Sequence, residues 1–356
     1  MGLKETKASI RKNFDSSTLS LFVLNVGDGD AILLRFPDKY TGLVSCAIID
    51  CYNADKTISA LENLGVEYIP FICATHPHSD HTQGMSKLIR WCIQREIKIE
   101  QFWDSGFRHV SRIHYDLIQL LREHPEIKVI HPTSGYETII NRVRFVVLSP
   151  SIQLKNRYDT FGTNINNASI VLKLEYPPKD IAPYYLTPEE ASEKALAEEE
   201  RLQQHSIILA ADAQFDAWAR ITEEFPELKR TSNGGQMINP DELDHKPLRC
   251  KVLKVPHHMS KHGITLEVLE TLNPRYTIAS CSNQSKHGFP HDLTVMAVED
   301  VRHKESDKGM RFTGHRDADK RSGTVVALFR EAKVTPLIYG LEESVSQAAP
   351  IPDLRK

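Results

Sequence analysis

The chain has 356 residues, 40% hydrophobic and 26% charged, with a formal net charge of −3. That length holds one large domain or two medium ones, and the near-neutral balance gives no global pull on nucleic acid. No apolar run approaches the roughly 18 residues of a membrane span, and the start "MGLKETKASIRKNF" has no apolar core, so no secretory signal is expected.

In chain order, "TLSLFVLNV", "DAILLRF", "CAIID" and "YIPFICAT" read as strands, the first three close enough to pair antiparallel. "TISALENLG" and "MSKLIRWCIQREI" carry helical apolar spacing, with Gly65 as a C-terminal stop. "HYDLIQLLREH" predicts another helix, followed by the strand "RFVVLSP". The strands "ASIVLKLEY" and "SIILAADA" come next, then the helix "FDAWARITEEF" and the strand "KVLKVPHH". Helix "TLEVLETL", strand "YTIASCS", helix "LTVMAVEDVRH" and strand "TVVALF" complete the series. Two similar halves of strands and helices predict an α/β sandwich, two sheets back to back with helices outside. One domain is expected over residues 15–335, with a tail at 336–356. A helical acidic insertion at 177–205, capped by Thr187 with Glu190 three positions on, and a polar loop at 226–249 interrupt it. The insertion reads as a solvated helix, with a partner-binding arm as the alternative.

Chemistry gathers at strand ends. "THPHSDH" places His76, His78, Asp80 and His81 directly after an apolar strand. Four metal-competent side chains in six positions suggest a site rather than a surface. "SIILAAD" ends in Asp212, "KVLKVPHH" in His257 and His258, and "NQSKHGFPH" carries His287 and His291. A carboxylate ending a buried strand is costly without a compensating charge, which a cation would supply. His76 and His78 alternate along extended chain and can face one ion. Asp80 and His81 can reach a second, Asp212 can bridge, and His257 can complete the second site. Two ions about 3.5–4 Å apart would share and acidify a water and stabilise charge on a phosphoryl or acyl oxygen. Imidazole with carboxylate admits zinc, manganese or iron, so the sequence does not fix the metal.

"THPHSDH" matches the HxHxDH signature of the metallo-β-lactamase superfamily. "LNVGDGDAILL…AIIDCYN", "NNASIVLKLEY", "LKVPHHMSKHG" and "NQSKHGFPH" further resemble the ComEC-type competence nuclease domain, over most of residues 19–330 and without that family's membrane channel. The resemblance implies a four-layer αββα fold and a binuclear metallohydrolase cleaving phosphodiesters. Another hydrolase of the same fold, acting on a thioester or lactone, and a catalytically weak metal-binding module are the alternatives. Carried over by position, His76, His78, Asp80, His81, Asp212 and His257 match ligands. Asp80, His258 and His291 are given catalytic roles, His291 as ligand or as proton donor to a leaving group. Asn167, Ser169, Ser260, Lys261 and His287 are expected to contact substrate, a nucleic acid or nucleotide. The chain departs from the superfamily where the third histidine of the first site belongs: Asn164, Asn166, Asn167 and Ser169 stand there instead. Met259 and Ala211 also replace the usual glycines.

The mixed-charge run 302–323, with Lys254, Lys261 and Lys286, reads equally as a phosphate-binding rim or a solvated loop. His109, His114 and His131 are unclustered in sequence and read as surface residues; Asp28 and Asp30 are expected to shape a rim turn. The six cysteines, Cys46, Cys51, Cys73, Cys92, Cys250 and Cys281, form no CxxC pair and mostly sit in apolar runs. They are expected to be reduced and buried, in a cytoplasmic protein, with no thiol catalysis.

Overall fold

The computed structural model describes residues 17–38, 41–161, 164–178, 204–227, 246–282, 285–302, 309–314, 323–331, 333 and 335–341. Within them, β1 (Thr18–Val23), β2 (Ala31–Arg35) and β3 (Cys46–Cys51) pair antiparallel, as their short connections require. Helix α1 (Ala54–Leu64) then returns the chain to β4 (Tyr68–Ala74), parallel to β3. Asn53 caps α1 through its side chain, and Gly65 closes it at φ 68°, a left-handed conformation that glycine adopts without a Cβ penalty. After β4 come a single helical turn, α2 (Ser79–Thr82), and helix α3 (Met85–Gln94). The parallel run continues with β5 (Lys98–Asp104), helix α4 (Arg112–Glu123) and β6 (Lys128–Ile130).

The chain then crosses to a second sheet. β7 (Glu137–Ile140) and β8 (Val143–Ser149) form a hairpin, and helix α5 (Ile152–Phe161) leads on to β9 (Val171–Tyr176). β9 is antiparallel to β8 and to β10 (His205–Leu209), so the strands flanking the expected insertion do pair as a hairpin would. Residues 179–203 of that insertion and 228–245 of the expected polar loop lie outside the described residues. Helix α6 (Phe215–Glu224), strand β11 (Val252–Lys254), helix α7 (Leu266–Leu272), strand β12 (Tyr276–Ala279), helix α8 (Asp292–Arg302) and strand β13 (Met310–Phe312) build a parallel edge. Finally β14 (Thr324–Arg330) and β15 (Leu337–Leu341) return to the first sheet.

The sheet orders are β15-β14-β1-β2-β3-β4-β5-β6 and β13-β12-β11-β10-β9-β8-β7. The two halves of the sequence therefore do not map one to each sheet, because the last two strands rejoin the first. Nor is everything past residue 335 a tail: Leu337–Leu341 extends the sheet beside β14. Its alternating apolar side chains find a partner strand only at a sequence distance that local patterning does not reveal.

Three apolar layers hold the elements together. Leu61, Leu88 and Leu117 of the outer helices pack on the first sheet. Phe71, Trp103 and Phe145 fill the space between the sheets, with Phe71 stacked on Trp103 at 4.1 Å. Trp218, Leu269 and Val298 pack on the second sheet's outer face. Strand periodicity explains the division: in β4, Phe71 and Cys73 face the second sheet while Ile72 and Ala74 face the helices. Each large side chain so buried contributes about 1.5–3 kcal/mol. The result is the four-layer αββα arrangement. No described helix is long and apolar enough to cross a membrane.

Candidate metal centre

Loops at the carboxyl ends of strands from both sheets converge, tied by a hydrogen bond from the Ile170 amide to the Thr75 carbonyl at 2.9 Å. There Asp80, His81, Asp212 and His258 bring one donor atom each to within 4.8 Å of one another. His81 Nε2 is 3.2 Å from Asp212 Oδ1, and His258 Nε2 is 3.6 Å from the same oxygen and 3.8 Å from Asp80 Oδ2. Three of these atoms, His81 Nε2, Asp212 Oδ1 and His258 Nε2, are buried without a hydrogen-bond partner among the described residues. A buried polar atom left unsatisfied costs about 1–3 kcal/mol. Four oxygen and nitrogen donors aimed at one point, three of them orphaned, fit a divalent cation.

The electrostatics agree. Burial alone would raise the Asp212 carboxyl, but His81 and His258 overcome it and hold it well below the usual carboxylate range. Burial likewise opposes ionisation of Asp80, and His258 and His81 again prevail. Burial disfavours charge on His81, yet Asp212 and Asp50 beside it raise its pKa well above normal. The carboxylates of the centre are thus held ionised by the histidines beside them, in an apolar setting.

Hydrogen bonds decide which ring nitrogens face the cluster. Asp50, fully buried at the end of β3, accepts from His81 Nδ1 at 2.7 Å, so Nε2 is the ring nitrogen toward Asp212, the one whose lone pair a cation would take in exchange for its proton. Asp50 also accepts from the Thr75 amide at 2.8 Å and hydroxyl at 2.7 Å, and that hydroxyl lies 3.3 Å from His76 Nδ1. The Ser280 carbonyl, which can only accept, takes the proton of His258 Nδ1 at 3.0 Å. His258 Nε2 is therefore the nitrogen that faces the cluster. Against burial, Asp212 and Asp80 raise the His258 pKa, and a cation would displace the Nε2 proton. His257 differs: Gln214 Nε2 donates to its Nδ1 at 2.9 Å, so the proton sits on Nε2, 3.7 Å from Asp212 Oδ2.

His257 was expected to complete the second site; of the two, His258 is the one that turns into the cluster of four, while His257 flanks Asp212 from the other side. The reason is the backbone: His257, His258 and Met259 all have positive φ, at 49°, 51° and 62°. Such a left-handed run costs about 1–2 kcal/mol per residue and sends adjacent side chains to different sides of the turn. Ala211, at φ 45°, makes the same kind of turn just before Asp212, and its carbonyl accepts the His257 amide at 2.9 Å. Gly29 serves the opposite rim, where a Cβ would stand 2.6 Å from the Asp80 carbonyl oxygen. Its neighbour Asp30 donates its amide to that oxygen at 3.1 Å, and its buried carboxylate pairs with Lys254. Lys254 is consequently core, not a rim cation.

His76 and His78 lie beside the cluster, His76 Nε2 3.1 Å from His78 Nδ1 and the His76 ring 4.2 Å from that of His81. His76 is fully buried, and burial together with His81 keeps it neutral, its pKa well below normal. Asn166 stands where a third histidine is missing: its Nδ2 is 3.5 Å from His257 Nε2, and its Oδ1 is buried and unpaired among the described residues. Ser169 Oγ is also buried without a partner. Asn167, expected at the substrate, is instead occupied by α6: its Oδ1 accepts the amides of Gln214 and Ala217 at 3.2 Å each. Ser260 is buried in the turn after Met259. Lys261 and His287 are exposed, His287 stacked on Phe289, whose ring contacts both His257 and His258 at 5.7 Å. His291 does not join the cluster of four; its Nδ1 accepts the Leu293 amide at 3.2 Å at the start of α8, which leaves the proton on Nε2.

Two residues escaped the sequence reading. Asp50 sits in the quoted strand "CAIID", but its partner is 31 residues away. His109, read as a surface residue, packs its ring 5.2 Å from that of His78. All six cysteines are buried and free, and burial pushes Cys46, Cys51, Cys92 and Cys250 up to about 12, so thiolate chemistry has no place at those positions.

Neither a protein-family model nor a curated protein matches the chain. Solved structures do. The metallo-beta-lactamase fold protein YhfI from Bacillus subtilis is 10% identical, with 88% of this chain and 99% of its own covered and a TM-score of 0.46. A diphosphatase of the PhnP family is 10% identical, with 91% of this chain and 100% of its own covered and a TM-score of 0.40. For a long-form RNase Z from yeast the figures are 10% identity, 94% and 46% coverage, and a TM-score of 0.39. These are likenesses of fold; the chemistry is carried by the side chains described above.

Proposed function

We propose that this chain is a binuclear metal-dependent phosphodiesterase of the ComEC-like kind, acting on a nucleic acid or nucleotide. The observation that carries it is the buried quartet Asp80, His81, Asp212 and His258, with three orphaned donor atoms, adjoining the His76–His78 pair. The quartet would hold one divalent ion, and His76 and His78 would hold a second. Zinc and manganese both suit these donors. When bound, such ions acidify water and neutralise charge on phosphoryl oxygens.

The chain's own groups do the rest. Asp50 and the Ser280 carbonyl hold His81 and His258 with Nε2 toward the cluster. His257 Nε2 presents its proton on the Asp212 Oδ2 side and orients a substrate oxygen. His291, whose Nδ1 accepts the Leu293 amide, offers its Nε2 N–H as a hydrogen bond to the charge that develops on the leaving oxygen.

The test is metal analysis of purified protein, followed by assays with manganese or zinc on bis-p-nitrophenyl phosphate, single-stranded DNA and cyclic nucleotides. Phosphodiester turnover that disappears with His76→Ala/His78→Ala supports the reading. Turnover of thioesters or lactones alone supports a different hydrolase, and bound metal without any turnover supports a metal-binding module.

A further inference from the structure

A row of basic side chains continues the metal centre along the same sheet edge. β4, β5 and β6 are parallel neighbours, with Ala74 opposite Asp104 and Trp103 opposite Ile130. Their carboxyl ends therefore present, side by side, the His76–His78 loop, the loop bearing Arg108 and His109, and His131. The span from β4 to β6 is two strand spacings, about 10 Å.

The middle loop is anchored rather than loose. Phe107 is 2% exposed and forms a small apolar cluster with Leu154 of α5 and Ala168. That contact brings Lys155, one residue further along α5, over the loop. Its Nζ reaches the His131 carbonyl at 3.4 Å and lies 3.3 Å from where a Cβ on Gly106 would be. Gly106 has φ 81°, so the absent side chain both permits the turn and admits the lysine. His109 joins this group to the centre through its 5.2 Å ring contact with His78. The acid at this edge, Asp104, is 4% exposed, its Oδ1 accepting the Gly106 amide at 2.8 Å and its Oδ2 3.6 Å from Arg108 Nη1. Arg108, 62% exposed, and the half-buried Lys155 thus sit over a buried carboxylate.

We infer that Arg108, His109 and Lys155 form a phosphate subsite next to the metal centre, which takes the phosphate adjoining the scissile one in a single nucleic-acid strand. This rests on the phosphodiesterase reading and narrows it to substrates longer than one diester. An electrostatic groove tracking a backbone is how single strands are held without sequence preference.

The experiment has two arms. In the first, chelator-treated full-length protein is titrated into a fluorescein-labelled single-stranded oligonucleotide and anisotropy is followed across salt concentrations. Arg108→Gln/Lys155→Gln is expected to weaken binding about tenfold and to flatten the salt dependence by about 1 for each charge removed; Arg108→Lys keeps wild-type binding. In the second arm, the ratio of kcat/KM for the oligonucleotide over bis-p-nitrophenyl phosphate is expected to fall about tenfold in the double variant. Unchanged anisotropy, or equal losses in Arg108→Gln and Arg108→Lys, overturns the subsite. Wild-type protein that binds the strand through these residues but hydrolyses no diester leaves the subsite standing and removes the catalytic reading instead.

Discussion

His81 Nδ1 lies 2.7 Å from Asp50 Oδ2, both side chains shut off from solvent, while the other ring nitrogen faces Asp212 at 3.2 Å. Asp50 thus orients the His81 ring from behind. Asp50→Asn keeps the shape but can offer an amide proton to Nδ1, which turns the His81 N–H inward. Metal affinity is expected to drop 10–100-fold, as for other partners of ligating histidines. Competition against a chromophoric chelator measures it. Wild-type affinity in Asp50→Asn would show that His81 needs no such partner.

A second carboxylate, Asp30, is held under His258 by Lys254, and both are essentially without solvent exposure. Removing one partner of a buried pair strands the other's charge, at a cost of about 3–5 kcal/mol. Lys254→Met is expected to lose that much in urea unfolding, whereas Lys254→Met/Asp30→Asn recovers most of it. Equal losses in the single and double variants would mean that the pair's geometry, not its charge, is what matters.

The contrast between His76 and His258 shows how far the sequence could be read. The HxHxDH segment is linear, and a strand end delivers all four side chains together, so it announces itself. The strands and helices around it were equally legible, because burial on both faces leaves long apolar runs. Choosing between His257 and His258 was not possible from adjacency, since three left-handed residues decide which one turns inward. A glycine at Ala211 or Met259 would relieve that strain. Lys254 looked like a rim cation because its partner, Asp30, is 224 residues away. His109 looked like surface because its neighbour, His78, belongs to another loop.

His257 and His258 should separate experimentally. His258→Ala is expected to cost one equivalent of metal after dialysis, read by elemental analysis. His257→Ala is expected to keep its metal and lose roughly 10²-fold in kcat, within the range for a positioned proton donor. The reverse pattern would return His257 to the ligand set.

His205 offers a pH test far from the centre. It is fully buried at the start of β10, its Nε2 donating to the Arg330 carbonyl at 3.0 Å and its ring against Phe329. Burial holds its pKa below the ordinary value of 6.5, with the Arg330 carbonyl only partly opposing. The unfolded chain therefore takes up this proton near pH 6.5, and the folded chain only at lower pH. Between those points the unfolded state binds more protons, so stability falls as the pH drops, by up to about 1.4 kcal/mol per pH unit. His205→Phe keeps the ring packing and removes the titration, at a cost of about 1 kcal/mol for the lost hydrogen bond at neutral pH. The variant's deficit in urea unfolding is expected to shrink between pH 7.5 and pH 5.5. Histidines elsewhere titrate in both proteins and cancel from the comparison. A deficit that stays constant over that range would mean that His205 does not couple folding to pH.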